Sequence, residues 1–459
     1  MIKSLFLDTI NKLFVFTQEK SEQFVAKSFI LNNIDEVVLF LIGLTLFTST
    51  FLQSENIGLL ALCVVATVFS RLCIKKGTRI ALTGFDCALI LYFIICFIST
   101  INSTLLAQSI HGFLKTVIYV FYYFSVANYF QANPNKIKWI FILVTGLCSA
   151  EGIIALIQNI GGVEQIATWQ DSNYINPEDA IARAYGTLKP YNPNLLGGYL
   201  IAGLPYVIGT TLLFFNEKNK KFSIFSTTAF LVCSLAVLAT GSRGAYLGLG
   251  ATILGLILLV TIIINTNFKT SEKLKAIWHK ILLAIISSFT LILIAVPKIT
   301  KRLLSIFLLR GDSSTSFRMN VYNSSWQMFC DNWFLGIGAG NQTFREIYGL
   351  YMLTGFDALS TYSVPLEIAV ESGILGLIAF MTFIVWFLLD CFKFIKSNFN
   401  TIELAQKIVV CSSILLIIGV MTHGLFDTIF YRPQVQFLFW TMIAMSSAII
   451  KKTTKRGLR

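Results

Sequence analysis

Ser242-Arg243-Gly244-Ala245-Tyr246 joins two apolar runs, about 222–240 and 244–266, with almost no loop between them. A single arginine stands at the join. Such a charge costs roughly 2.5–3.5 kcal/mol at the centre of a bilayer and less at its rim, so this stretch reads as a tight turn at a membrane surface. Working outward, another apolar run follows, and then about Lys298 to Val364, the one long stretch of the C-terminal half that is neither apolar nor low in charge. Beyond it a helix is expected to carry Glu367 and Glu371. These parts are expected to converge on one outward-facing polar site.

The composition sets the same frame. The 459 residues are 55% hydrophobic and only 13% charged, with a mean hydropathy of +0.73. A soluble domain carries about twice that charged fraction, so the chain reads as an all-α, polytopic membrane helix bundle. The net charge of +13 is better explained by lysines facing anionic lipid than by nucleic acid, which is not expected as a partner. Of nine cysteines, eight fall within or beside apolar runs, where Cys acts as a small hydrophobe. Cys330 alone lies in a polar stretch, and no Cys-x-x-Cys occurs. No metal, redox role or cofactor is expected.

Runs long enough to span a bilayer occur near 37–53, 57–74, 85–101, 112–130, 138–158, 195–215, 222–240, 244–266, 281–297, 366–390, 408–427 and 434–450, twelve in all. Their connections alternate in charge. Arg71, Lys75, Lys76 and Arg79 follow the second run, Lys136 and Lys138 the fourth, and Lys218, Lys220 and Lys221 the sixth. Lys269, Lys273, Lys275 and Lys280 follow the eighth, Lys393, Lys396 and Lys407 the tenth, and the tail adds Lys451, Lys452, Lys455, Arg456 and Arg459. The intervening connections hold at most one arginine, save the two long ones. By the positive-inside rule both termini face the cytoplasm, or a plastid stroma.

The expected organisation is therefore an interfacial N-terminal segment (1–36), a transmembrane domain (37–450) and a basic tail (451–459). The first 30 residues mix Ile2, Leu5, Phe6 and Ile10 with Lys3, Asp8 and Lys12. That pattern lacks the uninterrupted apolar core of a signal peptide and suits an amphipathic helix in the interface. Two long connections, about 161–194 and 298–364, fall on the outer side. Long connections of this kind are functional or disordered, and Phe317, Tyr322, Trp326, Phe329, Trp333 and Phe334 favour order at the membrane interface.

Several residues are candidates for chemistry. Arg243, flanked by Gly241, Gly244 and Gly248, stands beside a helix N-terminus, where a guanidinium and free N–H groups attract anions; the alternative is an arginine snorkelling to headgroups. Arg318 begins an external helix and is either an anion ligand or a solvated charge. Arg310, Arg345 and Arg432 can also line an anion site. Glu367 and Glu371 share a helical face and need protonation or a neutralising arginine, for which Arg243 or Arg318 is the expected partner. Lys115 and Glu151 lie inside spans and can pair with each other. Gly336-Ile337-Gly338-Ala339-Gly340 lacks the strand a nucleotide loop requires and reads as a turn against the bilayer. His423, with Asp427 nearby at the outer end of a span, is a further candidate beside its commoner reading as a packed histidine.

Gly241-Ser242-Arg243-Gly244-Ala245, Arg318 ahead of Trp326, Asp331-Asn332-Trp333-Phe334-Leu335-Gly336-Ile337-Gly338 and Glu371-Ser372-Gly373-Ile374-Leu375-Gly376 together resemble the O-antigen ligase/polymerase superfamily. Arg183 followed by Asn192-Pro193-Asn194 is similar too. The resemblance runs closely over about 180–380. It implies a twelve-span fold, transfer of lipid-diphosphate-linked glycans on the outer face, and a role for Arg243 and Arg318 in holding the diphosphate. Ligases carry a catalytic histidine nine residues before the position of Glu371; here that residue is Tyr362, a poor base with an ordinary pKa near 10. Enzymatic transfer is accordingly not the first expectation.

Gly355-Phe356-Asp357-Ala358-Leu359-Ser360, Val364-Pro365-Leu366-Glu367, and His423-Gly424-Leu425 with Asp427-Thr428 and Tyr431-Arg432-Pro433-Gln434 are similar to the cyanobacterial inorganic-carbon-transporter-B branch. That branch implies bicarbonate transport in a cyanobacterial plasma membrane or plastid membrane. The first expectation is thus an outward-facing anion site formed by Arg183, Arg243, Arg318 and Arg432, supported by Tyr362, Asp357, Glu367, Glu371, His423 and Asp427. Its partner is either a small anion or a lipid-linked diphosphate glycan, in contact with membrane lipid. A non-catalytic scaffold with the superfamily fold is the third reading.

Overall fold

A computed structural model describes residues 2–52, 54–76, 80–162, 183–266, 313–397 and 404–457, with a few single positions between 278 and 287. The described residues form helices joined by turns, without a strand. In hydrocarbon every backbone N–H and C=O needs a partner within its own segment, which favours this outcome for such apolar runs. In chain order the helices are α1 (Ile2–Lys27), α2 (Phe29–Asn32), α3 (Ile34–Thr48), α4 (Ser54–Ile74), α5 (Gly84–Ile101), α6 (Leu106–Ala132), α7 (Ile137–Gly161) and α8 (Pro193–Asn216). They continue as α9 (Lys220–Ala239), α10 (Arg243–Thr266), α11 (Ser313–Asp331), α12 (Asn341–Tyr348), α13 (Val364–Ser397), α14 (Leu404–Gly424) and α15 (Pro433–Gly457).

Ten of the described helices are long and apolar enough to cross a membrane. Of the two remaining expected spans, the run near 37–53 forms α3, at 15 residues shorter than the ~20 a bilayer asks for. Apart from Leu283 and Ser287 the run at 281–297 lies outside the described residues, as do all of 163–182, Arg310 and His279. Two helices make the centre. Nearly every residue of α8 from Pro193 to Phe214 is buried, and α8 touches α7, α9, α10, α14 and α15. The membrane-crossing part of α15 is likewise enclosed, with α6 and α14 against it. Small residues Gly197, Gly198, Gly203 and Gly209 let α8 sit this deep. A Cβ at Gly198 would stand 2.5 Å from Ile429 Cδ1, so the Ile429 side chain packs directly on the α8 backbone, as small-residue packing allows.

One end of the bundle is closed by ion pairs. Asp35 accepts from Arg71 Nε at 2.5 Å and from Lys75, while Lys136 reaches Glu36 and Lys138 reaches Glu217. Asp86, wholly buried, takes Lys451 Nζ at 2.9 Å and Tyr123 Oη at 2.6 Å, which ties α15 to α5 and α6. α1 lies against α4, where Gln18 donates to the Leu72 carbonyl at 2.8 Å.

The other end carries a small lobe with its own core. Val321 and Met328 of α11, Phe344 and Tyr348 of α12, and Ile337, Ala358 and Val370 are buried together. The glycine-rich stretch 336–340 docks this lobe, and its reading as a turn against the bilayer gives way to a more specific role. α13 is broken at Gly373 (φ 67°, ψ −174°), leaving backbone groups without helical partners. The stretch supplies them: Ile337 N donates to Val370 O at 2.9 Å, Gly338 N to Glu371 O at 3.1 Å, and Ile374 N to Trp333 O at 2.8 Å. Any Cβ at Gly373 would collide with the Phe334 carbonyl. A left-handed φ and a backbone at van der Waals contact together require glycine there.

Candidate functional site

The arginines meet at the lobe end. α9 stops at Ala239, and Thr240 and Gly241 (φ 61°) turn the chain. Ser242 then starts α10 by accepting from Tyr246 N at 3.0 Å through its carbonyl, while Tyr246 Oη folds back to Leu238 O at 2.6 Å. Arg243, half-buried, is the first residue of α10. Nearby, Asn192 caps α8 by accepting from Asn194 N at 2.8 Å, with Pro193 at the first helical position, where a missing N–H costs nothing.

Arg183 comes from the connection ahead of α8. Its Nε donates to Thr240 O at 2.9 Å, and its Nη2 donates to Asn194 Oδ1 at 2.8 Å. Asn194 in turn donates from Nδ2 to Asp427 Oδ2 at 2.8 Å. That same carboxylate oxygen meets Arg318 Nη2 at 3.3 Å, and Arg318 Nη1 donates to the Phe426 carbonyl at 2.6 Å. The guanidinium of Arg318 also lies 5.5 Å from the centre of the Tyr362 ring, a cation–π distance. Two guanidiniums are thereby strung on one Asn194–Asp427 bridge, drawn from the turn after α9, the start of α8, the end of α14, α11 and the approach to α13.

Tyr362 is the residue at the position where the resemblance implied a histidine. Its backbone is left-handed (φ 55°), which costs a non-glycine residue about 1–3 kcal/mol and is held only by its surroundings. Here Tyr322 Oη donates to its carbonyl at 3.2 Å, and Phe317 packs edge-on to its ring. Burial and then the charge of Asp427 push its phenol up, against the pull of Arg318. Tyr362 therefore stays protonated at neutral pH, where its phenol is a poor base.

Of the two arginines considered for the glutamates, Arg318 pairs with Asp427 and not with Glu367 or Glu371. Glu367 accepts from Thr361 N at 2.7 Å, and Glu371 accepts from Gly340 N at 2.8 Å. Both are buried and hold the lobe onto α13. The expected Lys115–Glu151 pair is absent, since Glu151 accepts from the backbone N and hydroxyl of Thr187, where it secures the segment after Arg183. Lys115 is exposed in the third turn of α6.

His423 is fully buried one turn before Asp427, and neither ring nitrogen has a hydrogen-bond partner. Its ring lies over Gly244, where a Cβ would stand 2.7 Å from Cδ2. Asp357 pairs at the surface with Arg345 at 3.6 Å, away from the bridge, and an exposed pair of this kind contributes little. Arg432 is half-buried between the Ile429–Tyr431 turn and α15, and its guanidinium makes no hydrogen bond or ion pair among the described residues.

Sequence reasoning overlooked Asn194 as a site residue, although it is the link between the two arginine groups. In the sequence, Asn192-Pro193-Asn194 stood out only as part of a family resemblance; nothing local marked the second asparagine as a bridge. Chemically, the end offers fixed guanidiniums, two helix N-termini and a phenol donor. That set suits a multiply charged oxyanion, for which bidentate arginine contacts are strong.

Residues 228–381 match the family model described as O-Antigen ligase, a span running from α9 through the lobe to beyond the break in α13. No curated protein matches the chain. Apolar helices in this number support an integral, multi-pass membrane protein, of which the stretch spanning the arginine turn and the lobe is similar to the O-antigen ligase family.

Proposed function

We propose that the arginine end binds the diphosphate of a lipid-linked glycan on the non-cytoplasmic face. The observation carrying this reading is the bridge itself: Arg183 and Arg318 are fixed on opposite sides of Asn194–Asp427, while Arg243 opens α10 at the same end. The lysine-rich connections at the opposite end support a cytoplasmic assignment for that side. Transfer of the glycan would need a base, and Tyr362 does not supply one. His423 is buried beside Gly244 with neither ring nitrogen hydrogen-bonded, and the proposed role is confined to holding the donor.

Bicarbonate movement, implied by the transporter-branch resemblance, needs a cation within reach of both sides, and the exposed position of Lys115 lends it no support. The experiment compares the two directly. Purified protein is titrated with farnesyl diphosphate and farnesyl monophosphate, and proteoliposomes are assayed for radiolabelled bicarbonate uptake. Tighter binding of the diphosphate, weakened at least tenfold by Arg318→Ala and by Arg183→Ala, is expected. Saturable bicarbonate uptake lost in Arg243→Ala, with no diphosphate preference, would replace this reading with transport.

A further inference from the structure

At the end of the bundle away from the arginines, the turn between α8 and α9 and the neighbouring ends of α10, α13 and α14 enclose a crevice of about 910 Å³. Its walls are apolar, with Leu212, Phe215, Leu256, Leu259, Ile395 and Leu415 among them. The volume corresponds to roughly thirty waters at ~30 Å³ each, but such walls leave water without partners. It also lies at the upper end of the usual range for ligand pockets, about 300–1,000 Å³.

Charge is placed on this crevice in one sign. Lys218 and Lys220 line it from the turn, and Lys407 lines it from the first turn of α14; no carboxylate lines it among the described residues. The acid of that turn, Glu217, is directed elsewhere, to Lys138 at 2.6 Å. An apolar slot whose cations come from the helix ends fits an amphiphile with acyl chains and a negative headgroup, since basic pockets between helices at the cytoplasmic side recognise anionic lipid. We infer that this crevice holds an anionic phospholipid, such as phosphatidylglycerol, from the leaflet at that end. Its chains lie against Leu256, Leu259 and Leu415, and its phosphate meets Lys218, Lys220 and Lys407. The lipid braces the α8–α9 turn against α14, where the side chains alone leave a gap. This site is separate from the arginine end and stands whether or not a diphosphate binds there.

The test uses the full chain, delipidated in mild detergent and titrated with phosphatidylglycerol or phosphatidylcholine, with bound lipid read by native mass spectrometry. Wild type retains phosphatidylglycerol in preference, and each lysine changed to glutamine (Lys218→Gln, Lys220→Gln, Lys407→Gln) lowers that retention by roughly fivefold. Leu259→Trp, which fills the slot, lowers retention of both lipids; circular dichroism verifies that each variant keeps its helix content. Equal retention of the two lipids by wild type overturns the inference. So does a triple glutamine variant that retains its helices and its phosphatidylglycerol. A lipid-independent dimer would also overturn it, by assigning the crevice to a second copy.

Discussion

Replacing Asp427 with asparagine tests whether its carboxylate holds Arg318 in reserve for a ligand. The substitution keeps shape and removes charge. At 3.3 Å and an effective dielectric near 20, the gross attraction is 332/(20 × 3.3), about 5 kcal/mol. Desolvation of both groups offsets much of that, and hydrogen bonds to charged groups contribute a net of about 1.5–3 kcal/mol. Asp427→Asn should therefore destabilise the unliganded protein by about 1.5–3 kcal/mol, measured as thermal unfolding in detergent. Arg318 would remain anchored through Phe426 O at 2.6 Å, and Asn194 would keep an oxygen partner. With the competing anion gone, the same increment should appear as tighter binding of inorganic pyrophosphate, by tenfold or more, because 1.4 kcal/mol is one decade of affinity. Stability and affinity are thus expected to move in opposite directions. If pyrophosphate affinity falls along with stability, Asp427 is orienting the arginine, not competing for it, and the argument fails.

Three further outcomes are expected. Gly373→Ala must place a Cβ into the Phe334 carbonyl at a left-handed φ, so thermal unfolding should show a loss of at least ~2 kcal/mol; an unchanged melting temperature would refute the docking of the lobe on the α13 break. Because the Tyr362 phenol is raised by burial, its stabilisation is fully present below the unfolded value near 10 and is lost as pH climbs from there through the higher folded value. Tyr362→Phe should accordingly lose less stability than wild type between about pH 9 and 11. Cys330, exposed in α11, should react with a membrane-impermeant maleimide on intact cells. Labelling only after lysis would invert the assigned sidedness.

Much of the architecture was readable one helix at a time. The apolar runs, the arginine turn at Ser242-Arg243-Gly244 and the glycine interruption at 336–340 are all local patterns, and a bilayer forces each segment to satisfy its own backbone. Burial was not readable in this way. α8 and α9 are similarly apolar, yet α8 is enclosed and α9 faces outward along much of its length. In lipid both faces of a helix can be apolar, so hydropathy does not report which face meets protein.

Partner choice belongs to the tertiary structure alone. Asn194 and Asp427 are 233 residues apart, and Arg318 and Asp427 are 109 apart; no spacing rule connects them. The glutamates illustrate the limit. Their separation of four placed Glu367 and Glu371 on one face, but only the folded chain could reveal that backbone N–H groups of Thr361 and Gly340 receive them. From the sequence alone came a helical membrane bundle with arginines and a polar lobe in it. Which charges touch was decided by how α8, α11, α13 and α14 pack at one end, because a buried or half-buried charge accepts whichever donor the packing brings within hydrogen-bond reach.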